Sequence, residues 1–157
     1  MADATLWQRY PDHNDGGSSY FHTGLSRGSP KVSLVRFELG FIPSGATIAS
    51  ATFGARLYSS GANEIRAHRV DVPWDELAVT WNSLAGSYDP ATEATLVGAA
   101  DDAATADVTA LVQAWVDGAH PNHGFLLEED PTALTAYRSS EHGVVGDRPW
   151  LEVCFTR

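Results

Sequence analysis

The chain is built from short segments in which apolar and polar side chains alternate, separated by clusters of Gly, Pro, Ser, Asn and Asp. Residues 34–39 place Val35, Phe37 and Leu39 on one face, which is the period of two expected of a half-buried β-strand. The same period predicts further strands at 51–58, 63–70, 125–128, 134–137 and 150–155. Many short strands with turn signals between them favour an antiparallel two-sheet β-sandwich.

One segment follows a helical period instead. Its apolar residues recur at the spacing of one helix face: Val108, Leu111, Val112, Trp115 and Val116. Asp107 precedes this stripe as a candidate N-cap, and Gly118 follows it as a stop signal. We therefore expect an all-β fold with one short helix packed on the sandwich. The Ala-rich stretch 99–106 is predicted to be a loop.

Length and charge limit the classes of function. A chain of 157 residues has the size of one domain, so residues 1–157 are predicted to form a single domain. The formal net charge is -10, and Lys31 is the sole lysine. A nucleic-acid-binding surface needs clustered cations, so we expect no nucleic-acid partner. No apolar run approaches the ~20 residues that span a bilayer, so we expect no membrane insertion.

Cysteine content and the first residues bear on the compartment. Cys154 is the single cysteine, so neither an intramolecular disulfide nor a cysteine-based zinc site is expected. Residues 1–5 contain neither a basic leader nor an apolar stretch, so no secretory signal is expected in the sequence as given. We expect an extracellular or cell-surface location if a leader has been removed, and a virion-associated one as the alternative.

Several longer motifs resemble a known family. They are Arg-Phe-Glu-Leu (36–39), Ile-Pro-Ser-Gly-Ala-Thr-Ile (42–48), Ala-Thr-Phe-Gly-Ala-Arg-Leu-Tyr (51–58), Trp-Asp-Glu-Leu-Ala-Val-Thr-Trp-Asn (74–82), Asp-Val-Thr-Ala-Leu-Val-Gln-Ala-Trp-Val-Asp-Gly (107–118), Asn-His-Gly-Phe-Leu-Leu (122–127), Ser-Ser-Glu (139–141) and Arg-Pro-Trp-Leu-Glu-Val (148–153). Together they resemble the DNRLRE-type domain, a jelly roll grouped with carbohydrate-binding modules, and are similar to the disaggregatase-related domains of microbial surface proteins. The resemblance implies a two-sheet jelly roll, extracellular surroundings and, in some members, glycan binding.

Aromatic residues are the first candidates for a binding site. Strand alternation puts Leu6 and Leu151 inside, so Trp7 and Trp150 are expected to point outward, with Tyr10 close to Trp7 in the chain. Exposed rings can stack on a sugar or anchor a protein interface. Because terminal strands of a jelly roll can be neighbours, Trp7 and Trp150 are predicted to form one patch. The remaining tryptophans are expected to be structural: Trp74, Trp81 and Trp115.

Acidic and amide side chains offer candidate metal ligands. Asp12, Asn14 and Asp15 lie in one turning loop, and hard cations such as Ca²⁺ prefer carboxylate and amide oxygens. The three do not hold EF-hand spacing, and Asx-Gly clusters are also ordinary turn chemistry. A structural calcium ion is therefore a hypothesis for this loop, beside the simpler interpretation as a turn. Residues 128–130, Glu-Glu-Asp, are predicted to form a solvated acidic turn.

The sequence offers no catalytic motif. Neither His-Glu-x-x-His nor Gly-x-Ser-x-Gly occurs, and His120 and His123 lie in a predicted turn with no third ligand indicated. Carboxylates are numerous, but no pair stands out as the acid and base of a glycosidase. We expect a protein that is not an enzyme.

Two functional hypotheses remain open from the sequence. The first is a non-catalytic binding or attachment module that recognises glycans or a cell surface. The second is a structural component of an assembly, such as a phage virion decoration or tail-associated protein. The corresponding partners are a glycan or surface protein, and for the second hypothesis virion proteins or further copies of the chain. Co-purification with a particle would favour the second.

Overall fold

The computed structural model describes residues 1–60, 64–98 and 102–157. Its strands are β1 Ala2–Trp7, β2 Tyr20–Ser26, β3 Ser29–Arg36, β4 Thr47–Ser59, β5 Ile65–Arg69, β6 Ala94–Gly98, β7 Ala103–Asp107, β8 Phe125–Glu129, β9 Leu134–Arg138 and β10 Trp150–Thr156. The helices of this part of the chain are α1 (Trp81–Leu84), α2 (Thr109–Val116) and a 3-10 turn at Val145–Asp147. The predicted all-β class is confirmed. The predicted short helix is α2, and α1 adds a single helical turn.

The strands pair in a closed circuit rather than in two separate sheets. Eight of them follow one another in the order β3-β2-β9-β4-β7-β6-β5-β8, and β8 pairs again with β3. β1 joins this antiparallel barrel at β3, and β10 joins it at β4. The predicted two-sheet sandwich is wrong in this respect. The physical reason is that β3 and β4 each pair with three other strands. These additional pairings join strands that a sandwich would keep in two separate sheets.

The alternation read from the sequence fills the barrel interior. Ala51, Phe53 and Ala55 of β4 are buried there, and the ring of Phe53 lies 4.8 Å from that of Phe125. The apolar residues of β10 pack against the same interior cluster from the end of the chain: Leu151, Val153 and Phe155. Burial of these side chains is the main stabilising contribution to the fold.

A second apolar cluster lies on the other face of β1, β3 and β8. Ala4 and Leu6 of β1, Leu34 of β3 and Leu126 of β8 are fully buried in it. The connection between β5 and β6 covers them with the following residues: Val70, Trp74, Val79 and Leu84. Leu6 is therefore buried as predicted, but beneath this covering segment and not in the barrel interior.

Some strands begin or end at residues other than the predicted ones. β3 ends at Arg36, so residues 37–39 are not strand, although Phe37 and Leu39 still pack against the interior cluster. The strand predicted at 63–70 is confirmed at Ile65–Arg69, and Asn63 lies outside the described residues. The loop predicted at 99–106 is wrong from residue 103, because β7 pairs with β4 and β6. Residues 99–101 lie outside the described residues.

Helix α2 packs across the start of β4. The side chain of Asp107 accepts hydrogen bonds from the Thr109 backbone N–H at 2.9 Å and from the Thr109 hydroxyl at 2.6 Å, one residue earlier than a standard N-cap. Gly118 ends the helix with a positive φ of 71°, as predicted. Trp115 is half-buried against the interior cluster, which agrees with its predicted structural role. In the described ranges no helix is long and apolar enough to cross a bilayer.

Candidate functional site

A pocket of about 380 Å³ opens where β1 ends. Trp7, Tyr10, His13, Asp15 and Lys31 line it, and we call it the Trp7 pocket. Trp7 is the last residue of β1 and stands directly opposite Lys31 of β3 in the strand register. The other three lie on the connection between β1 and β2, which turns back over this strand pair.

Two aromatic rings form a corner of the Trp7 pocket. The ring centroids of Trp7 and Tyr10 are 4.7 Å apart, and their planes meet at 86°. Successive turns hold this geometry: the Tyr10 N–H donates to the Trp7 carbonyl, and the His13 N–H donates to the Tyr10 carbonyl, both at 3.0 Å. Tyr10 remains 45% exposed, so its ring is accessible to a partner.

Charged groups converge on the same corner. The Lys31 Nζ lies 4.4 Å from the centroid of the Trp7 ring, a cation–π arrangement. Partial burial lowers the pKa of Lys31, and the negative charge of Asp15 opposes that shift. Burial likewise raises the pKa of Asp15, opposed by the positive charges of Lys31 and His13. The opposite charges therefore support each other in a partly desolvated site.

The surface of the Trp7 pocket is aromatic and charged. The indole Nε1–H of Trp7 itself is buried, so a ligand would meet the ring of Trp7 and not this N–H. Rings that present apolar surface, a carboxylate and an ammonium group suit a ligand that has both C–H faces and hydroxyl groups.

The three predicted calcium ligands have separate partners. Asn14 donates both side-chain hydrogen bonds to backbone carbonyls, those of Glu76 and Val79, at 2.8 Å, while its own Oδ1 accepts from the Gly16 N–H at 3.3 Å. Asp12 accepts from the Asn82 amide at 2.8 Å, and Asp15 faces the Trp7 pocket. Among the described residues no group of three or more His, Cys, Asp or Glu is arranged to hold a metal ion. Calcium binding stays a prediction.

Trp150 lies on a different part of the barrel. β10 pairs with β4, whereas β1 pairs with β3, so the predicted single patch of Trp7 and Trp150 is wrong. The Trp150 ring is half-buried and covers Gly54, and the Arg56 guanidinium lies 5.8 Å from its centroid. Trp150 and Leu151 are on opposite faces of β10, as predicted. The Trp150 ring, however, packs against the neighbouring strand β4.

Other residues singled out by the sequence have structural partners. Trp74 donates its indole N–H to the His123 carbonyl at 2.7 Å, and His120 lies 3.3 Å from Arg69. Glu129 is 3% exposed and accepts hydrogen bonds from Thr23 and Thr135 at 3.0 Å. The prediction of a solvated acidic turn is therefore wrong for Glu129, because this residue belongs to β8 and points inward.

Comparison with known proteins adds the family. The model of carbohydrate-binding module family 96 matches residues 1–154, which is nearly the whole chain. The chain belongs to carbohydrate-binding module family 96. No curated protein matches it. The family supports the carbohydrate-binding class to which the sequence motifs pointed, while the DNRLRE-type label stays a prediction.

Sequence reasoning found three residues of the Trp7 pocket and missed two. Trp7, Tyr10 and Asp15 were candidates, although Asp15 was proposed as a calcium ligand. His13 and Lys31 were missed. Lys31 could not be found from the local sequence, because it reaches the pocket only through the pairing of β1 with β3. One signal was available: Lys31 is the only lysine of a strongly acidic chain.

Proposed function

We propose that this module binds a carbohydrate without catalysis and that the Trp7 pocket contacts the sugar. The observation that carries the proposal is the corner of Trp7 and Tyr10, at 86°, with Asp15 and Lys31 beside it. Family membership supports the ligand class. The residues that line the Trp7 pocket support its choice as the contact surface.

The two rings suit one sugar residue. A sugar ring has an apolar C–H face that packs on an aromatic ring and hydroxyls at its edge that need hydrogen-bond partners. The carboxylate of Asp15 accepts from hydroxyls, whereas the ammonium of Lys31 donates to them. A volume of about 380 Å³ falls at the small end of ligand pockets, which favours one or two sugar units.

The same geometry argues for binding alone. Glycoside hydrolysis by the common mechanisms needs two carboxyl groups on either side of the bond that breaks. Within the described part of the chain, Asp15 is the one carboxylate that lines the Trp7 pocket. We expect no hydrolase or lyase activity on polysaccharides.

The alternative, a virion structural component, has no support from the family comparison and stays a prediction. Attachment to a cell surface through a surface glycan is compatible with the proposal. The extracellular location, a surface-protein partner and association into oligomers remain predictions.

A glycan array with matched tyrosine variants tests the proposal. Tyr10→Ala removes one wall of the Trp7 pocket and should weaken binding to the best glycan at least 10-fold, which equals about 1.4 kcal/mol. Tyr58→Ala is the control, because Tyr58 is 62% exposed and lies on β4 away from the pocket. If both variants bind as the wild type does, the Trp7 pocket is not the sugar site. If the wild type binds no glycan, the function itself is wrong.

A further inference from the structure

A second cavity lies on the other side of β1 from Trp7. Its volume is about 340 Å³, and we call it the Trp81 cleft after the ring that borders it. Its lining includes Leu6, Gln8, Trp81, Asn82, Tyr88 and Glu128. Leu6 and Gln8 point to this side because side chains alternate along a strand, and Trp7 between them points to the Trp7 pocket.

The floor of the Trp81 cleft is apolar and preformed. Leu6 and Leu126 are fully buried beneath it. Trp81 begins α1, whose start is fixed by a reciprocal pair of hydrogen bonds between Thr80 and Ser83 at 3.1 Å and 2.8 Å. The Asn82 backbone N–H donates to the Pro11 carbonyl at 2.9 Å, which ties α1 to the loop of the Trp7 pocket. A ligand would therefore meet a surface that needs little ordering.

The Glu128 carboxylate of the Trp81 cleft has neighbours that lie outside the lining of the cleft. Glu128 Oε2 lies 3.9 Å from Arg66 Nη2 and 3.3 Å from Nε2 of the buried His68. The contact between His68 Nε2 and Glu128 Oε2 does not have the geometry of a hydrogen bond. The other ring nitrogen of His68, Nδ1, lies 3.0 Å from the Ala91 carbonyl oxygen. Glu128 thus remains able to accept hydrogen bonds from a ligand.

Tyr88 forms the second aromatic border. Its ring centroid lies 5.6 Å from that of His68, which packs behind it. Burial raises the pKa of the Tyr88 hydroxyl, and the negative charge of Glu128 raises it further. The phenol is protonated at neutral pH, as an unshifted tyrosine also is, and offers a ligand a hydrogen-bond donor.

We propose that the Trp81 cleft is a second carbohydrate site and that it takes uncharged sugar units. Two aromatic residues, two amides and a carboxylate line it, which is the chemistry of a ring with hydroxyl groups. Among the described residues that line it, Glu128 is the charged one, and its partner Arg66 lies outside this lining, so an acidic sugar would meet a carboxylate in the cleft. The Trp7 pocket differs, because Lys31 lines it. This inference rests on the proposed function for the ligand class but uses a separate set of residues.

Calorimetric titration of the full chain tests the Trp81 cleft. The probes are four uncharged oligosaccharides, cellohexaose, xylohexaose, mannohexaose and N-acetylchitohexaose, with an oligogalacturonate as the charged comparison. We expect at least one uncharged probe to bind. Gln8→Ala and Glu128→Gln should each weaken that binding about 10-fold or more, since the first removes an amide and the second replaces a charged acceptor by a neutral amide. Melting temperatures of both variants verify folding, and Gln8 is exposed, so its truncation is the safer of the two.

Tyr10→Ala separates this inference from the proposed function. Loss of binding in Tyr10→Ala, with unchanged binding in Gln8→Ala and Glu128→Gln, overturns the Trp81 cleft and leaves the Trp7 pocket. Loss in Gln8→Ala and Glu128→Gln alone supports the cleft and removes the Trp7 pocket as the site for that probe. The inference is also overturned if no uncharged probe binds, if oligogalacturonate binds more tightly through the cleft, or if the two cleft variants instead abolish a dimer of the chain.

Discussion

Asp3 and His22 are partly or fully buried titratable residues whose pKa values shift in opposite directions. Burial raises the pKa of Asp3 to about 7, and the nearby charges of Glu141 and Glu76 add to this shift against the hydrogen bonds from Ser140. Burial lowers the pKa of His22 to about 4, and the positive charge of Lys31 adds to that shift. In each case the neutral form is favoured in the folded protein.

These two groups should have opposing effects on stability in mild acid. The pKa of Asp3 is raised on folding from 3.8, so its contribution is present at low pH and is lost as the pH rises toward 7. The pKa of His22 is lowered from 6.5, so its contribution is present above that pH and is lost as the pH falls toward 4. Relative to wild type, Asp3→Asn should lose stability more steeply on acidification, and His22→Gln less steeply.

Urea unfolding at intervals between pH 4.5 and 7.5 measures both slopes, where each group contributes at most about 1.4 kcal/mol per pH unit. The two variants serve as controls for each other because they should deviate from wild type in opposite directions. Identical pH profiles for Asp3→Asn and wild type would contradict the assignment of Asp3.

At the scale of single residues, the sequence could predict which face of a strand a side chain lies on. It could not predict which side chains of different strands are in contact. Trp7 and Leu6 were correctly assigned to opposite sides of β1. The partners of Trp7 depend on register, because Lys31 stands opposite it only in the observed pairing of β1 with β3. A shift of two residues would keep Lys31 on the same face but away from Trp7, and the alternation within each strand does not distinguish these two registers.

At the scale of elements, one amide side chain joins two loops. Asn14 donates to the carbonyls of Glu76 and Val79, and Gly16 packs so closely against Glu76 that a Cβ at Gly16 would overlap the Glu76 backbone. The loop that bears Tyr10 and Asp15 is thereby fixed to the segment that covers the second apolar cluster. The Trp7 pocket depends on this attachment.

Asn14→Ala should destabilise the protein by about 1–3 kcal/mol, because it leaves two carbonyls without their donor. Asp12→Ala is the comparison, since the Asp12 and Asn82 side chains meet in an exposed bond, and it should cost less than about 1 kcal/mol. Chemical denaturation in EGTA and again in millimolar calcium measures both. Equal losses in the two solutions agree with the hydrogen-bonded role. A loss that depends on calcium would support the calcium hypothesis for Asp12, Asn14 and Asp15 instead.

Trp150 and Gly54 form a pair across β10 and β4. The two residues stand opposite each other, and the indole occupies the space where a side chain at Gly54 would lie. Gly54→Ala should therefore cost about 1–3 kcal/mol in the wild type by displacing the ring. In a Trp150→Ala background it should be neutral or stabilise by up to about 1 kcal/mol, because alanine loses less entropy than glycine in a strand. A double-mutant cycle measures the coupling, and additive effects would contradict this packing.

Elements with bulky alternating residues were predictable, and those without them were not. Phe53 and Leu57 in β4 and Leu151 to Phe155 in β10 give a clear period of two. β7 consists mostly of alanine and threonine, and alanine has low strand propensity, so its strand conformation comes from pairing with β4 and β6. The prediction for Glu129 was wrong for a related reason, because the hydroxyl donors that pair with its carboxylate, Thr23 and Thr135, come from β2 and β9.

At the scale of the whole molecule, β1 lies between the two candidate sites. Leu6 is buried in the second apolar cluster and so fixes the end of β1. The next two side chains lie on opposite sides of the chain: Trp7 lines the Trp7 pocket, and Gln8 lines the Trp81 cleft. The covering segment that buries Leu6 also supplies Trp81 to the Trp81 cleft and the carbonyls that fix the loop of the Trp7 pocket. Sequence motifs identified the residues of this segment but not its position over β1, because that contact is made across distant parts of the chain.

The central claim, that Trp7 contacts a sugar, is tested most directly by proton–nitrogen NMR of the indole groups. The chain has five tryptophans, and comparison with Trp7→Phe assigns the Trp7 signal. When the oligosaccharide that binds best on the glycan array is added, the account predicts that the Trp7 Nε1–H signal shifts, because a sugar that packs on the Trp7 ring changes the shielding of this proton. The signal of Trp115, which packs against the interior cluster, should stay in place. Saturated binding with an unchanged Trp7 signal would contradict the claim.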